Sequence, residues 1–344
     1  MQRRVSEEIA SLLEEAERNG SCLAATSRRL RRDLVRRVQT GELVSPLPHL
    51  YVRADLWRRL SQTERTRRLI AGLSRLHPSW TFCGTSAAVM HGLCLSEAVQ
   101  RPIEVAAASR TQRHPTGDVA RRYVSGDRPT LAAGVPVTSI ERTVFDCARR
   151  LGLREGLAVA DSALRLGALD RERLAAYVRE MGPHHHGYRT ALLVAALADP
   201  RPENGKESIA RATMYELGFA LPDLQVPFAD PMDPSRVFRV DFLWTLPDGT
   251  VIIGELDGGE KYRDPVMSGG SPLVALRGER RRESRLTIDR PKIVRFSPDE
   301  VDDVAFLNRL LETFGVPRDH EPLIQIPEEL PYSETVPLEA YGLP

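Results

Sequence analysis

Hydrophobic positions along this chain recur at intervals that name the backbone carrying them. Leu30, Leu34 and Val38 fall at i, i+4 and i+8, one apolar stripe of a helix, and Arg28, Arg29, Arg32 and Arg36 lie off it. Ser27 suits the N-cap of that helix and Gly41 its C-terminal stop. Residues 43–52 then read as two short strands around a Pro-containing turn. Residues 1–60 are therefore expected as helix, helix, basic helix and β-wing. Residues 61–200 predict helices mixed with short strands. A small-residue helix ends at Gly92, strands cover 102–106 and 135–138, and Ser139 caps a helix that turns Ile140, Val144 and Cys147 inward. Residues 201–316 predict helix, strand (224–228), hairpin, charged helix (around 279–283) and strand (291–296). The tail 317–344, rich in Pro and Glu, is expected to drape over the surface or stay disordered.

Composition narrows the class more than it identifies a function. The chain has 344 residues, 42% hydrophobic and 28% charged, which fits two or three globular domains. No apolar run reaches the roughly 20 residues a membrane helix needs. The first twenty residues form a charged amphipathic pattern without an apolar signal core, so the expectation is a cytoplasmic protein with no membrane partner. Cys22, Cys83, Cys94 and Cys147 have no paired spacing and read as small buried hydrophobes. His184-His185-His186 reads as a solvated loop. His91 reads as a capping or core histidine. Arg142 and Asp146, four apart, read as a structural salt link. There is no glycine-rich phosphate loop and no nucleophile–base–acid triad.

Net charge is only +1, so any case for nucleic acid must be local. A basic helix followed by a β-hairpin is the layout of a winged helix-turn-helix, in which a helix enters the major groove and arginines meet phosphates or guanine edges. On that reading Arg28, Arg29, Arg32 and Arg36 contact DNA. The alternative is a solvated basic face on a helical bundle.

The third block carries the chemistry. Two β-rich runs, 237–244 and 251–257, flank Pro247-Asp248-Gly249, a hairpin signal. If those three residues are the loop, Leu246 faces Thr250 and Asp241 lies directly across from Glu255. Opposed residues bring their Cβ atoms to about 4.5–5.5 Å, and two carboxylates at that range repel unless a cation joins them. A hard divalent ion, Mg²⁺ or Mn²⁺, is the simplest candidate. A two-residue loop would instead put Asp241 opposite Leu256. Glu255 and Asp257 share a face by period two. Glu207 falls in the first turn of its helix, where the dipole favours a carboxylate. Lys261 follows in the turn after Gly258-Gly259.

The motifs Gly205-Lys206-Glu207-Ser208, Val240-Asp241-Phe242, Gly254-Glu255-Leu256-Asp257-Gly258, Lys261-Tyr262 and Glu279-Arg280-Arg281-Arg282-Glu283 together resemble PD-(D/E)XK domains related to very short patch repair endonucleases. Tyr51-Val52, Ser86-Ala87-Ala88 with His91-Gly92-Leu93, and Val137-Thr138-Ser139 with Arg142-Thr143 and Asp146 resemble AbiEi-type antitoxin proteins. The expected fold is an α+β / α/β multidomain chain. It has an N-terminal winged helix-turn-helix (1–60), an AbiEi-like α+β middle domain (61–200), a restriction-endonuclease-like αβββαβ core (201–316) and an extended tail (317–344).

The resemblance implies a Mg²⁺-dependent DNA endonuclease. Asp241 and Glu255, joined by Asp257, would hold the metal, and Glu207 would complete or orient its shell. Lys261 would stabilise charge on the phosphate, and Arg280 and Arg282 would hold the DNA backbone. One departure stands out: where such nucleases carry Glu-x-Lys, this chain has Glu255-Leu256-Asp257. The alternatives are a non-catalytic AbiEi-type regulator, with a cognate toxin as partner, and an RNA- or nucleotide-handling enzyme using the middle block.

Overall fold

The structure, a computed structural model, describes residues 2–109, 117–230, 232–257 and 291–326. The chain divides into two compact units, Met1–Pro200 and Arg201–Pro344.

The first unit opens with α1 (Gln2–Arg18), β1 (Leu23–Ala24), α2 (Arg28–Gln39), β2 (Leu43–Leu47) and β3 (Leu50–Arg53). The three strands form an antiparallel sheet in the order β1-β3-β2. One helix fewer precedes the hairpin than the sequence pattern suggested. Gly20, at φ +60°, ends α1, and Leu23 and Ala24 pair with Tyr51 and Leu50 rather than coiling. Few residues then remain before α2 begins. Ser27 Oγ accepts the amide of Leu30 at 3.2 Å, the anticipated cap, and Gly41 adopts φ +76° just past the helix end. Leu34 is fully buried, and Leu30 and Val38 pack beside it against Ile9, Leu13, Leu43 and Tyr51.

Next come α3 (Ala54–Arg59), α4 (Gln62–Leu76), α5 (Gly84–His91), the parallel pair β4 (Ile103–Ala107) and β5 (Val119–Tyr123), and the hairpin β6 (Thr130–Ala132) and β7 (Val135–Val137). Four helices follow: α6 (Ile140–Leu151), α7 (Leu153–Arg165), α8 (Arg171–Met181) and α9 (Tyr188–Leu197). Segments 1–60 and 61–200 share one core. Cys22, Leu47, Leu50 and Val52 pack with Leu69, Ile70, Phe82, Ile103 and Val137. The Arg142–Asp146 pair is buried, with Nε to Oδ2 at 2.7 Å, and Arg149 also binds that carboxylate. His91 Nε2 lies 2.9 Å from the Thr138 carbonyl. Three cysteines are buried and Cys94 is half-buried, all as free thiols. Burial pushes the Cys22 thiol up to about 12, which suits an inert core residue.

The second unit contains α10 (Gly205–Glu216), β8 (Asp223–Asp230), β9 (Asp233–Thr245), β10 (Val251–Leu256), β11 (Lys292–Phe296), α11 (Pro298–Asp302) and α12 (Val304–Phe314). The sheet order is β11-β10-β9-β8, with β10 and β11 parallel and the other neighbours antiparallel. Leu246 N–H donates to Thr250 O at 2.8 Å, and Trp244 pairs with Ile252, so the hairpin has the three-residue loop and its register. Phe242, Trp244, Ile252, Val294 and Phe296 pack against Ala210 and Met214 of α10 and Leu307 and Leu311 of α12. Leu243, Val251, Ile253 and Ile293, at alternate positions of the same strands, gather in a second cluster with Val240. Residues 316–326 run along this unit, mostly exposed, and are tied to it at several points. The Pro317 carbonyl accepts from Ala220, Leu323 N–H donates to Glu216, and Ile324 and Ile326 pack inward. Among the described residues no helix is long and apolar enough to cross a membrane. The charged helix expected around 279–283 lies outside the described residues.

Candidate functional site

The N-terminus of α10 is built by Asn204, whose side-chain oxygen accepts the amides of Lys206 and Glu207 at 2.9 and 3.1 Å. This cap holds Glu207 in the first turn, only 5% exposed. Glu207 takes hydrogen bonds from the Glu203 amide (2.7 Å), Asn204 Nδ2 (2.6 Å) and Gln225 Nε2 (3.0 Å). The Gln225 amide also reaches Asp241 Oδ1 at 3.3 Å, so one nitrogen joins two carboxylates from a helix and a strand.

The sheet brings in the rest. Leu224 pairs with Phe242 and Val226 with Val240, which sets Gln225 beside Asp241 on β9. The β9–β10 pairing runs as far as Gly254 and Phe242, one residue short of Glu255 and Asp241, and Glu255 pairs with Arg295 of β11. Gln225, Asp241, Glu255 and Arg295 thus stand on four neighbouring strands, one each on β8, β9, β10 and β11. The second oxygen of Asp241 accepts the amide of Leu256 at 2.9 Å. Val240 joins one apolar cluster and Phe242 the other, so the in–out alternation of β9 changes phase at Asp241. Gln225 beside it has φ +52°, a left-handed conformation uncommon for a residue with a side chain. Such off-pattern backbone re-aims side chains, and here it points Gln225 to both carboxylates.

Electrostatics follow from burial. Desolvation lifts the Glu207 carboxyl to about 7; the charge of Asp241 adds to the rise, and the Glu203 amide and Gln225 oppose it. The folded value lies above the unfolded one, so Glu207 leaves stability intact below about pH 4.5 and withdraws it as pH rises toward 7. The second unit is expected to lose roughly 3 kcal/mol on this account between pH 4.5 and 8. Urea unfolding of the full chain with and without Glu207→Gln checks it. The variant should flatten that slope, and an unchanged slope refutes the assignment.

Asp257, expected in the metal shell, faces the Arg295 guanidinium at 3.4 Å instead. The Asp241 carboxylate is answered within the protein by Gln225 and the Leu256 amide. Among the described residues no three Asp, Glu, His or Cys side chains form a set that could hold a metal ion alone. The donors still suit Mg²⁺, which commonly binds through one or two carboxylates and keeps several waters. Asp241 and Glu255 supply two carboxylates on neighbouring strands. Lys261, Arg280 and Arg282 lie outside the described residues. Gln225 is the contributor that pattern reading missed. Its only trace in the sequence is a polar residue inside the apolar strand 224–228.

A separate feature lies on α2. Arg28, Arg29 and Arg32 line a recess of about 370 Å³. Arg36 is exposed and approaches Asp33 only at 4.0 Å.

Comparison with known proteins locates the middle of the chain. Residues 80–195 match the family described as AbiEi antitoxin C-terminal domain. Two relatives in Mycobacterium tuberculosis, from strains CDC 1551 / Oshkosh and H37Rv, both described as uncharacterized, are each 33% identical over 119 residues. That is 35% of this chain and 43% of theirs, so the chain spans less than half the length of the curated relatives it matches. No solved structure matches at a significant level. From α5 through most of α9, this chain is AbiEi-like, similar to the AbiEi antitoxin C-terminal domain.

Proposed function

We propose that this protein binds DNA through the exposed face of α2 and hydrolyses phosphodiester bonds in its second unit, with Mg²⁺ or Mn²⁺ as cofactor. The observation that supports this most is the meeting of Glu207 and Asp241 on the Gln225 amide, with Glu255 buried on the neighbouring strand. On this reading the fold of residues 201–316 is the PD-(D/E)XK core. Asp241 and Glu255 hold the ion. Gln225 keeps Asp241 turned toward it and links it to Glu207, which orients the shell. A divalent ion there supplies Lewis-acid polarisation of the phosphodiester. Lys261 stabilises charge on the phosphate, and Arg280 and Arg282 hold the backbone. Residues 1–60 act as the winged-helix element that delivers the duplex.

The test is supercoiled plasmid incubated with the full chain and Mg²⁺ or Mn²⁺, with EDTA, and with Glu255→Ala. Nicking by the wild type that disappears in both controls is the expected result. Wild-type protein that leaves the plasmid intact with either metal overturns the nuclease reading, as does an unimpaired Glu255→Ala.

The family match across 80–195 favours a second reading, a non-catalytic AbiEi-type antitoxin and regulator with a cognate toxin as partner. It predicts salt-sensitive DNA shifts without cleavage, lost on Arg32→Ala plus Arg36→Ala.

A further inference from the structure

Six residues of α2 stand fully in solvent: Arg28, Arg29, Arg32, Val35, Arg36 and Gln39. At 3.6 residues per turn, Arg28, Arg32, Val35 and Gln39 fall along one line of the helix, opposite the buried Leu30, Leu34 and Val38. The arginines at the flanks are engaged in the fold. Arg31 donates to the Ala25 carbonyl at 3.0 Å, and Arg37 binds Glu42 and Ser6 at 2.8 and 2.7 Å. Arg28, Arg29 and Arg32 have no such partner among the described residues, and no acidic residue shares their outward line. In their midst Val35 is 45% exposed. A lone exposed valine on a polar surface needs no reason, but this one is framed by the exposed Arg32 and Arg36.

The occupant that fits is duplex DNA. Four outward guanidinium groups complement a polyanion, and the major groove, about 12 Å wide, admits a helix. Within that groove arginine pairs with guanine O6 and N7, glutamine with adenine, and a small apolar side chain with the thymine methyl group. Resting on the DNA-binding reading above, we propose that α2 reads sequence, with Val35 seated on a thymine 5-methyl group between base pairs met by Arg32 and Gln39, and Arg28 one turn before Arg32 on a further guanine. Gln39, one turn on, addresses an adenine. Arg29 and Arg36, off the central line, hold phosphates.

The experiment selects bound duplexes from a randomised 20-base-pair library with the full chain in EDTA, which suppresses any hydrolysis. The best duplex is then remade with deoxyuridine for each thymidine in turn, removing one methyl group at a time. Wild type is expected to lose about fourfold in affinity at one position, the worth of a buried methyl group. Val35→Ala, which keeps a good helix former, should bind the two duplexes equally there. Arg32→Ala should relax preference at one guanine, and uniform weakening on every duplex would take Arg32 off the base pair. If Val35→Ala loses as much as wild type, or wild type is indifferent at every position, the thymine assignment falls while DNA binding stands. If wild type shows no salt-sensitive binding to any duplex, the DNA-binding reading falls and this assignment with it.

Discussion

Replacing Glu104 with alanine is expected to remove about 3–5 kcal/mol from the first unit, the usual consequence of breaking a buried ion pair from one side. The Glu104 side chain is 3% exposed and takes Arg122 Nε at 2.7 Å, both terminal nitrogens of Arg150, and the Thr85 amide at 3.0 Å. Burial pushes its carboxyl up, yet Arg150 first, then Arg122 and the Thr85 amide, bring it below its ordinary value. The sign is the reverse of Glu207. This stability is present above about pH 4.5 and is lost as pH falls through the lowered value. The site leaves no spare room. A Cβ on Gly84, which has φ +53°, would lie 2.0 Å from a Glu104 carboxylate oxygen. Alanine at 104 leaves two guanidinium groups and the N-terminal turn of α5 without their anion. Typical domains hold only about 5–15 kcal/mol in total, so the AbiEi-like region would stand close to unfolding at 37 °C. Calorimetry of the full chain reads this directly. A shift worth under about 1 kcal/mol would show that water replaces the carboxylate and that the network is not structural.

Asp241→Asn is expected to lower Mg²⁺-dependent nicking at least about 100-fold, beyond the upper end of what losing a supporting partner of a metal ligand costs. Asparagine keeps the shape and its oxygen still accepts the Leu256 amide, so the sheet should persist, while its amide nitrogen gives up the hydrogen bond from Gln225. What vanishes is one of the two charges that a hard cation needs. The second readout is independent of catalysis. Mg²⁺ should raise the unfolding midpoint of wild type, because an ion that binds only the folded chain stabilises it by mass action. Asp241→Asn should show no such rise. Equal stabilisation by Mg²⁺ in both proteins would place the ion elsewhere. Equal nicking would remove Asp241 from the reaction.

How much was legible in the amino-acid order depended on range. The α2 stripe, its Ser27 cap and its Gly41 stop follow from side-chain periodicity and orphan amides within one or two turns. The hairpin register follows from Pro247-Asp248-Gly249, because loop length alone sets which residues oppose. Those local rules were enough to set the pairing of β9 with β10 from Thr245–Val251 to Phe242–Gly254. They over-counted helices before β2, because nothing local shows that Leu23 and Ala24 will find an edge on β3.

Distant pairings were beyond such rules. Glu104 meets Arg150 forty-six positions on, and Glu255 lines up with Arg295 across a parallel ladder that no turn dictates. Gln225 reads as a polar intruder in a strand until the tertiary structure turns its backbone left-handed and lays its amide across Glu207 and Asp241. By itself the sequence determined the basic helix, its caps and the loop length that sets the hairpin register, all fixed by interactions within a few residues. Only the tertiary structure decided which protein groups answer the buried charges. A buried charge is answered by whatever packing brings near, and packing is a property of the whole chain.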